Sequence, residues 1–172
     1  PRLDWREVLR RFVTRQAVSD YSWSPPNRRF VHMGLHLPSP RNESLPDIVL
    51  AVDCSGSVDQ TLLDRFCAEL SAILEAFDAR ITAMLCDCAV RSATALTRLD
   101  LPLRLDVTGG GGTDYRPVFA AVAQEGLNPA CLIYLTDMQC DRFGAEPPYP
   151  VLWACSGKEQ SEPPFGELVR ID

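Results

Sequence analysis

A carboxylate and two hydroxyls alternate at Asp53, Ser55 and Ser57, directly after the apolar run Ile48–Val52. Oxygen donors at spacing two along a tight loop can converge on one centre, and such a centre suits a hard cation. Two later stretches carry donors of the same kind. Thr113 and Asp114 follow four glycines, Gly109–Gly112, and Asp137 follows Thr136 after the apolar run Cys131–Leu135. The glycines are not followed by Gly-Lys-Ser or Gly-Lys-Thr, so they do not form a nucleotide phosphate loop. No Gly-x-Ser-x-Gly elbow exists for an α/β-hydrolase. Ser55 stands where a haloacid-dehalogenase-like phosphatase needs its second Asp. A metal-dependent hydrolase would need a base as well as a metal. The three motifs hold neither His nor Lys, which leaves hydrolysis as the alternative to binding.

Other metal-capable residues are weaker. Cys86 and Cys88 form the one close cysteine pair, without a second pair nearby to complete a zinc site. His32 and His36 are four apart but lack the Glu of a zincin helix, and Gly34 lies between them. Cys54, between Asp53 and Ser55, is expected to point away from the site.

The surrounding patterns supply the elements that hold these donors. Ile48–Val52 has the length and continuous apolarity of a buried strand. Apolar residues from Leu62 to Phe77 recur at helical spacing, predicting a helix from Asp59 to Phe77. Further strands are expected at Ile81–Cys86, Ala89–Leu96, Cys131–Leu135, Val151–Ala154 and Glu167–Ile171. A second helix is expected over Tyr115–Gln124, with Asp114 as its cap or as a water ligand near the metal. Strands alternating with helices predict an α/β fold, a Rossmann-like doubly wound sheet that is mostly parallel. In such sheets ligands bind beyond the carboxyl ends of the strands. Asp53, Thr113 and Asp137 all fall there, although 60 and 24 residues separate them.

Upstream, Leu3–Val13 reads as an amphipathic helix. Tyr21, Trp23 and a possible strand at Phe30–Leu37 are expected to form an arm packed on the domain. The expected division is therefore 1–46 for the helix and arm and 47–172 for the main body. Charge divides the same way. Residues 1–44 hold eight arginines against four acids, while 45–172 hold nine basic residues against nineteen acids, within a net charge of −6. The acidic body argues against gripping a nucleic-acid backbone. The arginine-rich leader keeps nucleic-acid contact as a further alternative. No apolar run is long enough to cross a membrane. Seven cysteines, an odd number set mostly in apolar runs, point to a reducing cytoplasm rather than a disulfide framework. The first residue is Pro1 rather than Met, which leaves open whether the chain is a fragment of a longer protein.

The motifs Asp53-Cys-Ser55-Gly-Ser57, Gly-Gly-Thr113-Asp and Leu-Thr-Asp137, in this order and after these strands, resemble the metal-ion-dependent adhesion site of von Willebrand factor A (VWA) domains. The resemblance covers residues 47–172. It implies the VWA fold and a metal held by Asp53, Ser55, Ser57, Thr113 and Asp137. Mg²⁺ is the expected ion, with Mn²⁺ or Ca²⁺ as alternatives. The hydroxyls are expected to bind directly and the carboxylates often through water, which leaves the ion electrophilic toward an incoming anion. It also implies a protein partner that offers a Glu or Asp to the metal. Met138 departs from the family, where a glycine is common after the second Asp. The leader, with Trp5, Leu9, Phe12, Trp23 and Pro26-Asn-Arg-Arg29, is similar to a bacterial subgroup whose N-terminal half resembles a metallopeptidase. That likeness implies work with an AAA+ ATPase of the MoxR type. It leaves this domain as a non-enzymatic module, with any peptidase-like chemistry upstream.

Overall fold

The computed structural model describes residues 4–22, 47–56, 58–76, 79–107, 110–158 and 161–171. Trp23, the arm at Phe30–Leu37 with His32 and His36, and Ser57, Phe77 and Gly109 lie outside the described residues.

Helix α1 spans Trp5–Ser22. Strand β1 (Asp47–Asp53) leads to α2 (Gln60–Leu74), then β2 (Arg80–Cys86) and β3 (Val90–Leu96). Helix α3 (Arg116–Gln124) precedes β4 (Cys131–Thr136), β5 (Val151–Cys155) and β6 (Glu167–Arg170). The six strands lie in the order β3-β2-β1-β4-β5-β6. Every neighbouring pair is parallel except β2 and β3. This is the expected mostly parallel α/β sheet.

Burial explains the strand sequences. All of Ile48–Asp53 is buried, as a strand covered on both faces requires. Ile48, Leu50 and Val52 join a core with α1 and α2, whereas Val49 and Ala51 join a second core with α3. Asp59 caps α2 by accepting from Thr61 N at 3.2 Å, and Leu63, Phe66, Leu70, Ile73 and Leu74 turn inward. The helix ends at Leu74 rather than running to Phe77. Helix α3 starts with Pro117 in its first turn, where a missing N–H costs nothing.

One helix is longer than expected. Helix α1 continues nine residues past Val13, because no Gly or Pro interrupts the chain before Pro25. The connection from β4 to β5, residues 137–150, holds no helix. Aromatic rings cover that face instead. Trp153 stacks on Tyr134 at 5.1 Å between centroids and meets the edges of Tyr115 and Phe143, each also at 5.1 Å. Its indole N–H donates to Phe165 O at 2.9 Å.

Helix α1 is built into the core. Leu9, Phe12 and Val13 are buried, and Trp5 stacks on Phe66 with centroids 6.0 Å apart. Its arginines meet the acidic body: Arg6 and Arg10 reach Glu69 at 3.7 and 3.5 Å, and Arg15 pairs with Glu167. The alternating stretch Leu101–Val107 is a strap rather than a strand. Leu103 N donates to Ser71 Oγ at 2.8 Å, and the Gln60 side chain bonds Leu105 O and Val107 N at 2.9 and 3.0 Å. Among the described residues no helix is long and apolar enough to cross a membrane.

Candidate metal centre

Strand β1 leaves through α2 toward β2 on one side, and its other neighbour is β4. The strand order reverses between β1 and β4, which remain parallel, and crevices at such a point bind ligands at the carboxyl ends of the strands. Val52 pairs with Leu135, so the next residues, Asp53 and Thr136, emerge side by side.

Asp53 is fully buried. Its Oδ1 accepts from Ser55 N at 3.0 Å. Its Oδ2 accepts from Thr136 Oγ1 at 2.8 Å, and Thr113 Oγ1 lies 3.4 and 3.3 Å from the two oxygens. Burial pushes the carboxyl above its usual range; hydrogen bonds from Ser55 and Thr136 pull the other way, and the nearby charge of Asp137 adds to the rise. Thr136 has one proton, which goes to Asp53. It therefore accepts from Tyr115 OH at 3.0 Å and Met138 N at 3.3 Å. Asp137 is also buried, with Oδ1 accepting from Gln139 N at 3.1 Å.

Four of the five expected ligands can thus be located. Asp53, Ser55 and Thr113 share hydrogen bonds, and Asp137 is close enough to act on Asp53 electrostatically. Ser57 lies outside the described residues. Thr136 is the member that sequence reasoning passed over, because a hydroxyl ending an apolar run looks like the edge of a strand. Asp87 is another. It is 5% exposed, accepts from Ala89 N at 3.1 Å and Arg91 Nε at 2.8 Å, and is held below the usual carboxylate range by that arginine. A Cβ on Gly111 would come within 2.7 Å of Asp87 Oδ2. That glycine admits the loop carrying Thr113 through close approach.

Asp114 is not the N-cap of α3; that position is Tyr115, without a side-chain bond. From one residue upstream, Asp114 Oδ1 still accepts from Arg116 N at 3.0 Å. Met138 has φ of +64°, the left-handed region where a side chain is disfavoured. A glycine at this position would not carry that cost.

The cysteines follow their burial. Cys54 is buried with Sγ 3.7 Å from Val52 O, and burial raises its pKa, so it is a poor nucleophile. Cys86 is buried against Tyr134 OH at 3.1 Å, while Cys88 is exposed. None of the seven cysteines is joined in a disulfide.

The residues fit a hard cation. Hydroxyls that give their protons to Asp53 keep lone pairs for an ion, and the donor set is oxygen throughout. Among the described residues no three His, Cys, Asp or Glu side chains group as a metal site. A softer, nitrogen- or sulfur-rich centre therefore has no counterpart there, whereas a site of two carboxylates and several hydroxyls is compatible with that finding.

Comparison with known proteins agrees with this architecture. Residues 1–41 match the family described as "Putative metallopeptidase domain". A Thermotoga maritima relative, named only as an uncharacterized protein, is 38% identical over 119 residues. The match covers 68% of this chain but 29% of that relative, so the chain spans less than a third of its length. Both family descriptions fit a metal-related role. Residues 48–172 match the family described as "VWA-like domain (DUF2201)", with the strand order and rim just described, and the chain belongs to that family.

Proposed function

We propose that this domain is a metal-dependent protein-interaction module that captures an acidic residue of a partner at the carboxyl rim of its sheet. The observation that carries this reading is the buried Asp53 carboxylate, ringed by Ser55, Thr113 and Thr136 at the sheet's reversal point. Ser55, Ser57 and Thr113 would hold the ion through hydroxyl oxygens, with Asp53 and Asp137 balancing its charge. Mg²⁺ is the proposed ion; when bound it offers an electrophilic position to a carboxylate oxygen. Asp53 accepts the hydroxyl protons and so turns their lone pairs outward. Thr136 fixes Asp53, and Tyr115 fixes Thr136. In this reading the domain binds rather than reacts. Any hydrolytic step belongs to a domain of the kind matched at residues 1–41.

The partner class supported by the family resemblance is a MoxR-type AAA+ ATPase. The test is calorimetric Mg²⁺ binding by the full chain and by Asp53→Ala, followed by capture of such an ATPase with and without EDTA. The expected result is loss of Mg²⁺ binding and of capture in the variant, and loss of capture in EDTA. Capture that survives both perturbations would refute the metal-bridged mechanism.

A further inference from the structure

Three arginines stand around one side of the rim, each held by a buried carboxylate. Arg116 grips Asp114 in a fork, Nε to Oδ1 at 3.0 Å and Nη2 to Oδ2 at 2.7 Å. Arg142 Nη1 lies 4.0 Å from the same Oδ2. Arg91 Nε reaches Asp87 Oδ1 at 2.8 Å. The acid side chains are 12% and 6% exposed, whereas those of Arg116, Arg142 and Arg91 are 56%, 63% and 60% exposed. The guanidinium groups are therefore anchored from beneath and open above.

Arg91 lies at the start of β3, Arg116 at the start of α3 and Arg142 on the β4–β5 connection, and the backbone around them is interlocked beside Thr113. Asp114 N donates to Asp87 O at 3.1 Å, and Tyr115 N donates to Arg142 O at 3.3 Å. Holding the loops would need one arginine per aspartate. Asp114 has two, which leaves a surplus positive charge on a body that is otherwise strongly acidic. A guanidinium engaged through one edge keeps free N–H groups, and these suit a carboxylate. The ground next to Arg142 is opposite in character. A groove of about 620 Å³ beside Met138, Gln139 and Phe143 has Asp141 and Glu162 as its charged members.

We propose that the partner segment is an acidic peptide with more than one carboxylate. One acid reaches the metal, and a neighbouring acid sits on Arg116 and Arg142. This proposal rests on the metal-capture reading above, and names the partner's chemistry. It also explains how an acidic domain accepts an acidic ligand: the arginines offset the repulsion locally, within the roughly 8–10 Å over which charge is felt at ordinary salt.

The test uses the full chain and two fluorescent synthetic peptides, one with a single Glu flanked by Gly and Ser, the other with four consecutive Glu. Anisotropy is read in MgCl₂ and in EDTA, at low and high salt. The four-Glu peptide is expected to bind roughly 10-fold tighter in Mg²⁺, with the advantage shrinking at high salt. Arg142→Glu is expected to cut that advantage by roughly 3- to 10-fold while leaving single-Glu binding and the melting curve unchanged. Arg116→Gln should act in the same direction, with its melting curve as the control for Asp114. Equal binding of the two peptides, or no effect of Arg142→Glu, overturns the arginine collar even if both peptides need Mg²⁺. Arginine-dependent binding of the four-Glu peptide that is identical in EDTA keeps the collar and overturns the metal bridge. Binding of neither peptide overturns both.

Discussion

Replacing Thr136 by Val keeps the shape of a fully buried side chain and deletes one hydroxyl. That hydroxyl donates to Asp53 at 2.8 Å and accepts from Tyr115 OH at 3.0 Å. A hydrogen bond to a charged group contributes about 1.5–3 kcal/mol, and stranding a buried hydroxyl costs about 1–3 kcal/mol. The two losses share one atom, so a combined destabilisation of about 3–5 kcal/mol is expected. For a domain of this size each kcal/mol lowers Tm by about 2–4 °C, giving a fall of roughly 6–20 °C. Thr136→Ser is the control, since it keeps the hydroxyl and loses a methyl group worth roughly 1 kcal/mol. Urea and thermal unfolding of the metal-free protein give the stability; calorimetry gives Mg²⁺ affinity, which should fall more for Val than for Ser. If the Val variant is as stable as the Ser variant, Thr136 does not hold Asp53 in place and the order of support described above is wrong.

Leu9→Ala in α1 should cost about 2–5 kcal/mol in urea unfolding, because Leu9 is fully buried; a loss below about 1 kcal/mol would show that α1 is not part of the core. Met138→Gly relieves about 1–2 kcal/mol of left-handed backbone strain but removes a side chain that is 2% exposed, so a net loss of about 1–3 kcal/mol is expected by the same assay, and a gain would contradict that balance. In native protein at mildly alkaline pH a thiol reagent should label Cys88 first and Cys140 more slowly, and spare Cys67, Cys86 and Cys131, whose buried thiols are pushed up to about 12; mass spectrometry of the labelled peptides checks the order. The hydrogen bond from Arg116 holds Asp114 below its ordinary 3.8, so the stability it contributes is complete above that value and is lost as pH falls through the lowered one. Acid unfolding of metal-free Arg116→Gln should show a flatter slope in that window, and an unchanged slope would remove Asp114 from the account.

The sheet and most of the candidate site were legible because their signals are local. The run into Asp53 is apolar from end to end, and β1 is buried from Ile48 to Asp53. The spacing from Leu63 to Leu74 is helical, and those residues line one face of α2. What escaped depends on partners distant in the chain. Thr136 acquires its meaning from Asp53, 83 residues away, and nothing beside it in sequence marks that bond. Asp87 looks like an ordinary turn residue until Gly111 closes on it. Phe143 and Phe165 meet across Trp153 on the face beside β4 and β5, and their separation in the chain gives no periodicity to read. Leu101–Val107 alternated like a strand, yet Gln60 and Ser71 of α2 take its backbone N–H and C=O groups, leaving it unavailable to the sheet.

That strap has a mechanical consequence. Gln60 stands at the start of α2, immediately after the loop that carries Ser55, and the strap it holds leads along the chain to Thr113. The same helix carries Phe66 and Glu69, the points on which α1 rests. Helix α1, within the segment matched to the metallopeptidase family, thus rests on the helix that lies between the Ser55 loop and the strap leading to Thr113. A domain continuing upstream from α1 would be coupled to the rim by a stiff shaft rather than a tether, and torque on that shaft would reach the spacing between the Ser55 and Thr113 loops.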